Sequence, residues 1–406
     1  MTTRSEPLGK TTGERAMPKH IRKILALMFA LMMVAAACSS DAEEATDTGG
    51  DTDTTEADGA DEEPATTEGD TMEEEAPAMA DMVAEFDANG DGSITIGVAA
   101  AGPANDGAYY QAVVDAATQV SVDNGFNDVI VVDEIEAADA ATALGDLAAQ
   151  VDIVIVGASE IAEPLGDLTE QYADVFWYCN CGAGFPETPG LAQSLDDGSE
   201  VAYTTGVATA LLMEGGDSTE VAFLGCCELG FENEFLLAFT LGLTNTNPDL
   251  TVTYVPTGDF PFDFDNVANA TEALNNAIDG GAGAVVPYLG GAHRPVVEAA
   301  SAAGLITTSA GDSSVCDADE ELDYSIAARF DGGDYVSAIF PQILSGEVKE
   351  GEIKVFRVGI DPEPGALICN ATDEQTAAMD AVYASIANGD FAGDFGAIKG
   401  EAYAGG

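Results

Sequence analysis

From Ser93 onward, short apolar runs alternate with stretches in which apolar residues return every three or four positions. The first set of runs lies at 94–99, 129–132, 153–156 and 175–178. Runs that are apolar throughout, rather than at every second position, predict strands covered on both faces, as in parallel sheets. Between them Val113, Ala116, Ala117 and Val120 fall at helical spacing, as do Ala140, Leu144, Leu147 and Ala148. Strand and helix in repeated alternation predict a parallel sheet with crossover helices on its faces.

A loop rich in Gly, Pro and Asp at 182–198 interrupts the pattern, which restarts with strands at 221–224, 251–255, 284–287 and 305–308. After 324–329 come a helix near 335–344 and a strand at 353–358. A last helix is announced by Thr372 and Gln375 in capping-box spacing, carries Met379, Val382 and Ile386 on one side, and stops at Gly389. The fold class expected is α/β: two doubly wound parallel-sheet lobes whose ligand-facing loops lie at the strand C-termini, with a cleft between them. The expected boundaries are 93–195 plus about 332–350 for the first lobe, 196–331 plus about 351–390 for the second, and a tail at 391–406.

The chain before this region has a different character. A cationic start (Lys19, Arg22, Lys23) precedes an apolar run at 24–37 that is too short to cross a bilayer and ends in Ala35-Ala36-Ala37-Cys38. This resembles a bacterial lipoprotein signal and implies a signal peptide over 1–37, lipidation of Cys38, and anchoring on the extracytoplasmic face of the cell membrane. Translation starting at Met1 or at Met17 gives the same leader. Residues 38–92 carry the lipidated Cys and then Asp, Glu, Thr, Ala and Gly with little apolar bulk, so a disordered acidic tether is expected.

Charge narrows the choice of partner. The chain has 12 Lys and Arg against 73 Asp and Glu, a net charge of −61. No base falls between Lys23 and Arg294. Such a surface argues against nucleic acid and against anionic head groups, and suits salty surroundings. Setting Cys38 aside, Cys179, Cys181, Cys226, Cys227, Cys316 and Cys369 remain in an exported chain, which favours disulfides of unassigned pairing. A four-thiolate metal site from the first four, or buried thiols, are the alternatives. Asp87, Asn89 and Asp91 match half of a calcium loop, but position twelve is Val98, so a polar turn is the better reading.

Several ordered segments carry a family resemblance: Asn105-Asp106-Gly107-Ala108-Tyr109-Tyr110-Gln111 after the first strand; Val221-Ala222-Phe223-Leu224-Gly225 with Phe235, Ala238 and Phe239 following; Tyr288-Leu289-Gly290-Gly291; and Ser309-Ala310-Gly311-Asp312-Ser313. Over about residues 94–390 the sequence resembles the basic membrane lipoprotein family, the solute-binding components of ABC importers with a type I periplasmic-binding fold. The resemblance implies a non-enzymatic, monomeric receptor without cofactor that hands a small polar solute, best guess a purine nucleoside, to a membrane permease. It implies Tyr109 and Phe235 as base contacts, and Asp106, Asp312 and Arg329 as polar partners. Tyr110 and Gly290 join the expected ligand set. So do His293 and Arg294, which stand where the family has glycine.

Other readings of these residues stay open. Tyr109 and Phe235 also suit a core, and Asp106 a helix N-cap. Arg294 and Arg329, at predicted strand ends, either clamp an anionic group or neutralise neighbouring acids. No Ser/His/Asp context, phosphate loop or zinc-helix pattern appears, and the chain has two His. Rival functions are a sensor or adhesion lipoprotein of the same fold and a thiol or metal protein built on the cysteines.

Overall fold

The computed structural model describes residues 79–404 except 107–108, 158, 183–184, 260–262, 310–312, 317–321 and 331. The leader, Cys38, most of the tether and Asp312 lie outside the described residues. No helix among the described residues is long and apolar enough to cross a membrane.

The continuous apolar runs form the first sheet: β1 (Ile96–Ala99), β2 (Ile130–Val132), β3 (Ile153–Val156) and β4 (Phe176–Cys179). Two further strands, β5 (Ala192–Asp196) and β11 (Ile353–Phe356), complete the order β11-β5-β4-β3-β1-β2, all parallel. Successive residues of β3 serve opposite faces. Ile153 and Ile155 pack with α2 (Tyr109–Asn124) and α9 (Gly332–Leu344), whereas Val154 and Val156 pack with α3 (Ala140–Ala148) and α4 (Leu165–Gln171). Both faces are covered, so the strands needed no polar alternation.

The second sheet has the order β7-β6-β8-β9, from β6 (Glu220–Gly225), β7 (Thr251–Pro256), β8 (Ala284–Pro287) and β9 (Ile306–Thr307). An antiparallel pair, β10 (Ile326–Arg329) and β12 (Gly365–Ile368), extends it through a bridge between Thr308 and Ile326. Helices α7 (Val267–Gly280) and α8 (His293–Ala302) cover one face. The other is covered by α5 (Gly198–Leu212) and α6 (Gly230–Thr246). These last two cross so closely that a Cβ on Gly206 would collide with the Phe239 carbonyl, and one on Gly242 with that of Tyr203.

The chain passes between the lobes three times: from β5 into α5, from β10 into α9, and from β11 to β12. The described residues belong to one compact unit. Tyr335 on α9 sits where the passages meet. Its ring stacks on Phe356 at 4.4 Å, and its hydroxyl lies 3.2 Å from Asp196 Oδ2 and 3.3 Å from the Arg329 carbonyl. Beside it Arg357 pairs with the buried Glu200, and Lys399 with Asp197 at 2.7 Å.

Four expectations need correction. The strand at 353–356 belongs to the first sheet, because β11 hydrogen-bonds β5. The tether does not run to residue 92: α1 (Met79–Phe86) buries Met82 and Phe86 against the first core, with Phe86 edge-on to Phe176 at 5.4 Å. The tail is partly helical, as α11 (Ala392–Ala402), and packs Phe391 and Phe395 on Tyr203. The loop expected at 182–198 contains β5. The helix expected after Thr372 forms as α10 (Asp373–Ala387), with the Thr372–Gln375 capping box intact.

Candidate functional site

Every strand of the first sheet points its C-terminus at the second lobe's loops, and a cavity of about 590 Å³ opens between them. Its volume is that of a site for a nucleoside-sized or sugar-sized solute. From the first lobe come Gly102 after β1, Ile135 and Glu136 after β2, Ser159 and Glu160 after β3, Asn180 to Gly182 after β4, and Asp196 at the end of β5. From the second come Phe231, Glu234 and Phe235 on α6, Asp259, Asp263, Phe264 and Asp265 after β7, Tyr288 to Gly290 after β8, and Phe330 after β10.

Aromatic rings form the second-lobe wall. Tyr288 stacks on Phe330 with centres 5.4 Å apart and planes 15° from parallel, and Phe235 meets Tyr288 at 5.0 Å and Phe330 at 5.4 Å. Phe231 and Phe264 stack beside them at 6.3 Å. Across the cavity Tyr109 and Tyr110 stand at right angles, centres 5.5 Å apart. Tyr110 lies over Gly102, where a Cβ would strike its ring. Tyr109 donates to the Asn180 carbonyl at 3.3 Å. Flat faces on both sides suit a flat ring.

The polar lining is acidic. Asp106, Glu136, Glu160 and Asp196 face it from one side, and Glu234, Asp259, Asp263 and Asp265 from the other. Among the described residues that line it there is no Lys, Arg or His. Asp106 accepts the amides of Tyr110 and Gln111 at 3.3 and 3.1 Å, capping α2. Glu234 accepts from Ser199 at 2.6 Å, and Asp265 from the Gly291 amide. Burial pushes the Asp196 carboxyl up to about 7 against the pull of the Tyr335 hydroxyl, helped by Asp197 and Glu234 nearby. Burial likewise raises Glu160. It raises the Tyr288 phenol too, with Asp196 and Glu232 adding to the effect. The Asn180 amide nitrogen is buried and has no hydrogen-bond partner among the described residues.

Of the expected ligand set, Asp106, Tyr109, Tyr110, Phe235 and Gly290 line this cavity, and Phe235 does so while packed in the second core. Three expected residues do not line it. His293 is wholly buried: one ring nitrogen is 2.9 Å from the Pro287 carbonyl and the other 2.9 Å from the Tyr324 hydroxyl, and burial pulls its pKa down to about 4. Arg294 follows it in the first turn of α8. Arg329 turns its guanidinium to the 362–365 segment, donating to the carbonyls of Gly365, Pro362 and Pro364 at 3.1, 3.0 and 3.2 Å. β10 pairs with β12, and that pairing faces Arg329 with carbonyls rather than with the cleft.

The sequence reading missed Asn180, Asp196, Glu160, Glu234 and Tyr288. Each except Glu234 lies at or just past a strand's C-terminal end, and that position was the available signal. The cysteines form three disulfides, Cys179–Cys181, Cys226–Cys227 and Cys316–Cys369, which overturns the four-thiolate alternative. In the half calcium loop, the oxygens of Asp87, Asn89 and Asp91 accept the amides of residues 90 to 93, as a polar turn does. Asp152 ties that turn to β1 through the amides of Asn89 and Thr95.

Two sheets with confronted C-terminal edges, three chain crossings and a ring-lined cavity between them define a solute-binding protein of the type I periplasmic-binding architecture. The same architecture occurs in the solute-binding protein of an ABC transporter system from Conexibacter woesei, at 21% identity and a TM-score of 0.57 over 73% of this chain and 97% of that one. It occurs in another from Aeropyrum pernix, at 13% identity and a TM-score of 0.60 over 76% and 99%. A transcriptional activator of the comK gene from Bacillus halodurans shares it at 15% identity and a TM-score of 0.56, over 73% and 98%. No curated protein matches the sequence. Residues 93–361 match the Bmp family, described as ABC transporter substrate-binding proteins, PnrA-like, and the chain belongs to it.

Proposed function

We propose that this chain is the membrane-anchored receptor of an ABC importer, held by acyl chains on Cys38, that closes as a monomer on a purine-nucleoside-like solute and yields it unchanged to the permease. The observation that carries this is the interlobe cavity, with Tyr109 and Tyr110 on one wall and the Tyr288–Phe330 stack on the other. A flat base gains contact area on both faces there, and carboxylates at the rim accept hydroxyl hydrogens as a sugar presents them. Burying the solute between lobes couples affinity to closure, so reopening at the permease releases it.

Small-angle scattering of the purified chain, titrated with nucleosides, sugars and amino acids, tests the reading. Adenosine or guanosine is expected to reduce the radius of gyration reversibly. An unchanged scattering profile across the whole panel refutes it. Intact mass of the membrane-extracted protein is expected to show a chain beginning at Cys38 with acyl additions, and an unmodified Cys38 refutes the anchor.

A further inference from the structure

Resting on the receptor reading above, we infer that the solute is a flat aromatic cation, one whose ring system carries a positively charged nitrogen. The cavity places carboxyl groups from both lobes around aromatic faces with no basic side chain among the described residues that line it. Acids on the outer surface face water and counter-ions. The cleft acids are different, because closure on any solute strips water from them. Asp106 and Glu234, one from each lobe, are already 4% and 2% exposed.

A neutral solute would leave those charges facing one another across a dried gap, which is costly. An anion would make it worse. A cation brings positive charge to this carboxylate lining, and the rings around it are the faces that attract one.

A second observation points to a ligand independently of the acids. Asn180 lines the cavity at 6% exposure, yet its amide nitrogen has no acceptor among the described residues. A buried donor without a partner is rare in a finished structure. A ring nitrogen or hydroxyl of the solute would satisfy it, which a bare metal ion or a simple alkylammonium would not.

The test uses pairs of similar shape and different charge on the full chain in detergent: adenosine against 1-methyladenosine, and nicotinamide against 1-methylnicotinamide, whose added charge lies in the ring. Calorimetry at pH 7.5 and low salt is expected to show the cation of at least one pair binding tenfold or more tighter than its neutral partner. The preference is expected to shrink in 1 M KCl and in Glu234→Gln, which removes a charge while its amide oxygen can still accept from the Ser199 hydroxyl. Equal affinity within both pairs, or tighter binding of the neutral partner in both, overturns the inference and leaves the receptor reading intact. Binding by no member of either pair also overturns it. If, in addition, no solute in the scattering panel compacts the chain, the receptor reading fails as well.

Discussion

Replacing Arg329 by Met separates two roles that its position at a strand end allowed. The guanidinium donates four hydrogen bonds, to the carbonyls of Pro362, Pro364 and Gly365 and to the Tyr383 hydroxyl at 3.4 Å, and none of the groups it meets belongs to the cavity. Met fills much of the same volume but leaves the buried Pro364 carbonyl without its guanidinium donor, while the Gly365 carbonyl keeps the strand-partner amide of residue 329. An unpaired buried acceptor costs about 2 kcal/mol. For a unit of more than 300 residues that corresponds to a melting temperature lower by about 3 °C. The assay is thermal unfolding by circular dichroism with no solute present. A residue that served only as a clamp for a bound anion would stabilise nothing in the empty protein. A ligand-free Arg329→Met protein melting within about 1 °C of the parent would therefore refute the assignment of Arg329 to the 362–365 segment.

Two further outcomes follow from the hinge and the covalent frame. Asp196 is raised in the folded chain, to about 7 from 3.8, so its contribution favours folding below the unfolded value and is lost as pH rises from about 4 through 7. Asp196→Asn is expected to flatten that part of the stability profile in urea melts at pH 4, 5.5 and 7, and a slope equal to the parent's would contradict the burial of this carboxyl. The Cys316–Cys369 disulfide spans 53 residues, so its loss is expected to cost about 4 kcal/mol by loop-closure entropy. The other two close loops of one or two residues and are expected to contribute far less. Thermal melts of Cys316→Ser/Cys369→Ser against Cys226→Ser/Cys227→Ser check the order, and a larger drop in the second variant would reverse it.

Much of this architecture is written locally. β3 is legible because residues 153–156 are apolar on both faces, and α10 because Thr372 and Gln375 satisfy each other's backbone amides within one turn. Tyr109, Tyr110 and Phe235 were reachable only through the family resemblance, carried by the segments that follow β1 and β6. Such signals depend on covalent neighbours, which the sequence preserves.

What only the tertiary structure decided depends on neighbours that are distant along the chain. β5 reads as loop, with Gln193, Ser194 and Asp196 in it, because its polar groups are satisfied from outside. The Ser194 and Tyr178 hydroxyls share a hydrogen bond, Gln193 accepts from the Thr188 amide, and Asp196 meets Tyr335. β12 is short and begins at a glycine, and its pairing with β10 turned Arg329 away from the cleft. The acidic character of the cavity has the same origin. In a chain this rich in carboxylates no single Asp or Glu stands out, and only the confrontation of two sheet edges gathers Asp106, Asp196 and Glu234 around one set of aromatic rings. Backbone propensity and hydrophobic period act over a few residues, whereas the field inside a cleft is summed over loops that only folding brings together.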